Sequence, residues 1–163
     1  MSASGERTLG ELRAERNELH QQEDVVSYAR RLAQGRLDLV RAEREMRARR
    51  DNRDISGELP SILGRLSAGS DRPPRDTEVP EDHPLLTELY TSCAALGFDN
   101  IKTCTDEQLL QLRDLLTAYE NERSNERQAL FDRIDELTAD LVRRYQSGAP
   151  IEGLLDDTNS GQS

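Results

Sequence analysis

Apolar residues recur at alternating steps of three and four over two long stretches of this chain. From Leu9 the steps reach Leu12, Arg16, Leu19, Glu23, Val26, Arg30, Ala33, Leu37 and Val40. From Leu109 they reach Leu112, Leu116, Glu120, Arg123, Arg127, Leu130, Ile134, Leu137 and Leu141, with two successive steps of four on either side of Leu116. Such spacing is the seam of a coiled coil, and it predicts long helices over 8–52 and 105–146. Thr8 with Glu11 and Thr105 with Gln108 have the spacing of a capping box at each start. A helix of roughly 40 residues is about 60 Å long and cannot bury its own seam. The expected fold class is therefore all-α, an antiparallel two-helix coiled coil with short accessory helices as the economical arrangement, with a parallel pairing or a pairing between chains of a homodimer as the alternatives. Pro60 stands near the start of a short helix over 58–68, and 69–82, with Pro73, Pro74 and Pro80, reads as a linker. Pro84 opens a second short helix over 83–97, closed by Gly97. Residues 1–7 are expected to be a flexible N-terminus, and 147–163, small and acidic, a disordered tail.

The seam is interrupted by charge, and the interruptions are ordered. Glu23, Ser27, Arg30, Gln34 and Asp38 follow one spacing, and ninety-seven residues later Glu120, Ser124, Arg127 and Asp135 repeat it with Phe131 at the Gln position. At about 100° per residue the five positions span roughly 80° of the helix surface, one narrow stripe. Both copies keep the same phase relative to the seam, so a Glu and an Arg occupy seam layers in each helix. Thr8 and Thr105 are also ninety-seven residues apart, so the duplication includes the helix start. Polar seam residues cost stability, although one can fix register. Two matched sets exceed what register requires.

Composition narrows the functional classes. Hydrophobic residues make up 34% of the 163, aromatics 4%, and Trp is absent, so a large globular core is not expected. Charged residues reach 33%, and with a mean hydropathy of −0.81 they favour extended helices. A net charge of −10 argues against direct DNA binding, which needs a basic surface. Residues 36–53 carry seven Arg against four acids, read here as a solvated helix end with cations near its C-terminus. Lys102 is the only lysine. No apolar stretch is long enough to span a membrane and no secretion signal is evident, which points to the cytoplasm. Cys93 and Cys104 lack metal-ligand spacing and read as buried or free thiols; His20 and His83 are assigned no catalytic role. No nucleophile, metal cluster or phosphate loop suggests an enzyme.

The stripe has the chemistry of a guanine and phosphate site. Carboxylates accept from guanine N1 and its exocyclic amine; Arg addresses O6 and N7, stacks on a base, or pairs with phosphate. Ser and Gln add shorter and longer reach. The spacing, present on each long helix, resembles the cyclic di-GMP signature of the RsiG family of actinobacterial anti-sigma factors. The first copy matches at all five positions; the second departs at Phe131. The resemblance implies a transcription regulator in sporulation signalling that binds two molecules of cyclic di-GMP and, while they are bound, keeps a WhiG-type sigma factor from RNA polymerase. It makes Glu23, Ser27, Arg30, Gln34, Asp38, Glu120, Ser124, Arg127 and Asp135 the ligand contacts. Gln128, near the edge of the stripe, is a candidate for the missing amide, and Phe131 either stacks on a base or packs. The alternative is a charged coiled-coil scaffold or dimerisation protein, its seam Glu and Arg paired with each other and no small molecule bound.

Overall fold

The computed structural model describes residues 6–56 and 79–148. Its elements are α1 (Leu9–Ser56), α2 (Pro84–Ala95), a 3-10 segment (Phe98–Thr103) and α3 (Asp106–Gln146), with no strand among the described residues. The expected helix over 58–68, most of the linker at 69–82, the first residues and the tail beyond 148 lie outside the described residues.

Both long helices start in the way their sequences dictate. The Thr8 backbone N–H donates to Glu11 Oε2 at 2.8 Å, and the Glu11 N–H donates back to Thr8 Oγ1 at 3.1 Å. Thr105 and Gln108 make the same reciprocal pair at 2.8 and 3.1 Å. Each box satisfies N–H groups that the first turn leaves without helical partners. α1 runs four residues past Asn52, because the first strong breaker after that position is Gly57. His83 caps α2, its Nδ1 accepting from the Leu85 N–H at 3.2 Å ahead of Pro84. After α2, Gly97 takes φ +84, the left-handed region that glycine enters without strain. The 3-10 segment that follows, kinked at Asn100, has no periodic signal in the sequence.

The chain forms two compact units. The first comprises Met1–Val26 with Asn125–Ser163, the second Ser27–Ser124. In the first unit Leu12 packs with Leu137 and Leu141, flanked by Leu9 and Leu19. Glu15 meets Arg133 and Glu23 meets Arg127. Rising numbers on α1 meet falling numbers on α3, so the helices run antiparallel there. In the second unit Arg30 meets Glu120 and Arg47 meets Asp106, giving the same sense. That unit holds the larger core, because α2 adds a third layer. Leu86, Leu89 and Cys93 are buried against Ala29, Ala33, Leu37 and Val40 of α1 and Leu109, Leu112, Leu116 and Tyr119 of α3. Fully burying each leucine contributes about 1.5–3 kcal/mol. Tyr119 Oη donates to the Leu85 carbonyl at 2.8 Å, fastening α2 to α3.

The arginine run is less uniform than a solvated helix end. Arg41, Arg49, Arg50 and Arg53 are exposed as expected. The Arg36 guanidinium, however, lies over the rings of Tyr90 and Phe98, at 4.8 and 4.4 Å from their centroids. Arg47 bridges Glu43 at 3.0 Å, Asp106 at 2.8 Å and the Lys102 carbonyl at 3.3 Å, joining α1 to the 3-10 segment and the start of α3. Apart from Glu43, which lies one turn back on α1, these partners arrive from segments distant in sequence, so the spacing within α1 could not reveal them.

Candidate functional site

The two motif copies do not form two separate patches, one per helix. Because the helices are antiparallel, a Glu from one copy meets the Arg of the other, and the meeting happens twice. In the second unit Arg30 Nε donates to Glu120 Oε1 at 3.1 Å and to Ser124 Oγ at 2.9 Å. Ser124 Oγ donates to Glu120 Oε1 at 3.1 Å, and Gln34 Nε2 donates to the same oxygen at 3.2 Å. One carboxylate oxygen thus gathers three donors from two helices. In the first unit Arg127 Nε donates to Glu23 Oε1 at 3.1 Å. Glu23 and Glu120 are ninety-seven residues apart, as are Arg30 and Arg127, so the two pairs are the same pair repeated.

The equivalence ends at the fourth motif position. Gln34 supports Glu120, whereas its counterpart Phe131 presents its ring to the Arg127 guanidinium, centroid 4.9 Å from the central carbon. Gln128, the candidate for the missing amide, has its Nε2 donating to Asp132 Oδ1 at 3.0 Å on its own helix. Asp38 is 76% exposed, with Arg41 at 3.9 Å, and Asp135 is also exposed. Ser27 is half-buried. Glu23 with Arg127, and Glu120 with Arg30, Ser124 and Gln34, therefore lie in the two paired clusters, while Asp38 and Asp135 stand out in solvent. Arg123, a seam residue outside the motif, lies over the Tyr119 ring at 4.8 Å.

Burial makes these clusters more than surface ion pairs. The Glu23 side chain is 9% exposed and Arg127 40%; Glu120 is 19% and Arg30 27%. Each arginine meets its carboxylate through Nε. Among the described residues, that leaves the terminal Nη edge of each guanidinium outside the hydrogen bonds made, the edge with which arginine forks onto an acceptor pair. Each cluster is therefore nearly neutral, sheltered on the helix side, and able to offer a planar donor edge beside a carboxylate.

Other polar groupings serve structure. A cleft of about 400 Å³ in the first unit is bordered by Arg7, Leu12, Arg133, Leu137, Asp140 and Arg144. Its arginines are held by acids: Arg133 by Glu15 at 2.9 Å and Glu136 at 3.0 Å, Arg144 by Asp140 at 3.6 Å. The hydrogen bond from Arg133, with the nearby charge of Arg7, holds the Glu15 carboxyl below its usual range. Cys93 and Cys104 are buried free thiols; burial raises the Cys93 thiol pKa, with Arg36 opposing. Among the described residues no group of three or more His, Cys, Asp or Glu could hold a metal ion.

Residues 2–63 match the RsiG-like family. No curated protein and no solved structure matches the chain. The matched segment contains the whole first motif copy, from Glu23 to Asp38, on the helix that brings Arg30 and Gln34 to Glu120. By that match this segment is similar to the RsiG-like family.

Proposed function

We propose that this protein is an anti-sigma factor, not an enzyme, that binds cyclic di-GMP at its two composite Glu and Arg clusters and sequesters a WhiG-type sigma factor while the ligand is bound. The observation that carries the proposal is the repeated pairing. Two motif copies, one of them inside the RsiG-like segment, converge on the same carboxylate and guanidinium arrangement twice. The donor set fits the ligand. Glu23 and Glu120 would accept from guanine N1 and its amine, and the Nη edges of Arg30 and Arg127 would meet O6 and N7 or a phosphate. Ser27, Ser124 and Gln34 would add hydrogen bonds, and the exposed Asp38 and Asp135 would close over a bound base. Two clusters agree with the two ligand molecules that the family resemblance implies. No helix among the described residues is long and apolar enough to cross a membrane, and a sigma partner would place the protein in the cytoplasm.

A second reading draws on the same contacts. Glu23 with Arg127 and Glu120 with Arg30 satisfy one another across the helices without any ligand, as a coiled-coil scaffold would need. Calorimetric titration separates the two readings. Cyclic di-GMP should bind, with GTP and cyclic di-AMP much weaker, and a WhiG-type sigma factor should be recovered with the protein only when cyclic di-GMP is added. Absence of binding would leave the scaffold reading. Binding of all three nucleotides alike would reduce the clusters to an anion site, and equal recovery of sigma with and without ligand would end the gated mechanism.

A further inference from the structure

We infer that Phe131 makes the first-unit cluster read its base by stacking, and therefore with less discrimination between guanine and adenine than the second-unit cluster. The inference rests on the proposed cyclic di-GMP function and concerns the one motif position where this chain departs from its own repeat.

In the second unit, Gln34 donates to Glu120 Oε1 at 3.2 Å, beside Arg30 Nε and Ser124 Oγ on that oxygen. A carboxylate held by three donors has a fixed direction, and a fixed carboxylate distinguishes the N1–H and amine edge of guanine from adenine, which presents an acceptor there. In the first unit the residue in the place of Gln34 is Phe131, which has no hydrogen bond to give Glu23. Its ring instead lies against the Arg127 guanidinium at 4.9 Å. The ring orients the plane of the arginine, as cation and π face attract at this distance.

Arg127 remains 40% exposed, so a planar group can reach it from solvent. A base arriving there meets a planar, ring-backed cation. Stacking of this kind favours any base, since every base has a π face. One position thus exchanges a hydrogen bond that supports selectivity for a surface that supports affinity.

The test is calorimetry of the full chain with two probes, cyclic di-GMP and cyclic di-AMP, reading each Kd and their ratio. F131Q restores the amide and should raise the preference for cyclic di-GMP by roughly tenfold, mainly by weakening cyclic di-AMP. Q34F, which installs the aromatic in the other cluster, should lower that preference. F131L keeps an apolar side chain without the ring and should weaken both probes by a similar factor. In ¹⁵N-labelled wild-type protein, cyclic di-AMP should perturb the Arg127 Nε–H resonance more than that of Arg30. Circular dichroism checks that each variant stays helical, as expected for the half-buried Phe131. If cyclic di-GMP binds but F131Q and F131L leave both affinities and their ratio at wild-type values, Phe131 only packs and this inference is overturned while the proposed function stands. If wild-type protein binds neither probe, the proposed function fails and this inference falls with it.

Discussion

Replacing Arg127 with Ala should destabilise the ligand-free protein, and the size of the effect follows from how its partner is buried. An arginine in a seam layer costs desolvation, and with no compensation its removal would be stabilising. Here the cost is offset. Arg127 Nε reaches Glu23 Oε1 at 3.1 Å, and the guanidinium also lies on Phe131. The Glu23 side chain is only 9% exposed, so losing this donor strips a sheltered carboxylate of a charged partner. Breaking a fully buried pair costs about 3–5 kcal/mol, and an exposed pair about 0.2–1 kcal/mol. With one partner sheltered and the other 40% exposed, a cost of about 1–2 kcal/mol is expected. That corresponds to a fall in Tm of about 2–8 °C for a chain of this size. Thermal melts followed by circular dichroism at neutral pH, without nucleotide, measure it. A cycle with Glu23→Gln should show coupling of about 1 kcal/mol, the double variant losing less than the sum of the singles. An Arg127→Ala protein that melts at or above the wild-type temperature would refute the reasoning, because the burial cost of the arginine would then exceed what Glu23 returns.

The two capping boxes have matching distances, so Thr8→Ala and Thr105→Ala should each cost about 1 kcal/mol, readable as a lowered urea midpoint; a neutral substitution at either site would mean that helix start is already held by packing. Glu15 offers a pH test. Arg133 and Arg7 lower its folded pKa below the ordinary 4.5, so its contribution is present above the ordinary carboxylate range and is lost as pH falls through the lowered value. Glu15→Gln should flatten the acid side of the stability profile, and an unchanged acid limb in melts across that range would remove Glu15 from the account.

Much of this architecture was legible because it is periodic. Seam residues such as Leu12, Ala33, Leu37, Leu112 and Leu116 lie buried where the three and four stepping placed them, and a Thr followed by Glu or Gln three residues later is a local signal that closes locally. The motif was legible for the same reason, as a repeat in phase with the seam. What escaped depends on partners that the chain brings from afar. Arg36 reads as one more surface cation until Tyr90 and Phe98 arrive from α2 and the 3-10 segment. Arg47 reads likewise until Asp106 and the Lys102 carbonyl reach it. His83 looks inert, yet its ring nitrogen caps α2. Gln128 is a case where the angle was legible and the contact was not. Its angle put it near the stripe, but Asp132, one turn ahead, takes its amide.

The composite pairing also changes what ligand binding would have to do. Were the motif residues unengaged, a ligand would simply add contacts. Instead Glu120 already holds Arg30, Ser124 and Gln34, and Glu23 already holds Arg127. A guanine that donates hydrogen bonds to these carboxylates must either share them or displace an arginine, so its net affinity is a difference between two well-satisfied states. The Nη edges offer a way to share, since each arginine meets its Glu through Nε and keeps its terminal fork for an acceptor. Only a ligand with donors for the carboxylate and acceptors for the fork, side by side on one planar group, can use both without breaking the pair. Guanine has that pattern on its edges and adenine does not. The same pairs that stabilise the helices against each other would thus set the selectivity of the site, and substitutions that loosen a pair should be felt in stability and in nucleotide preference together.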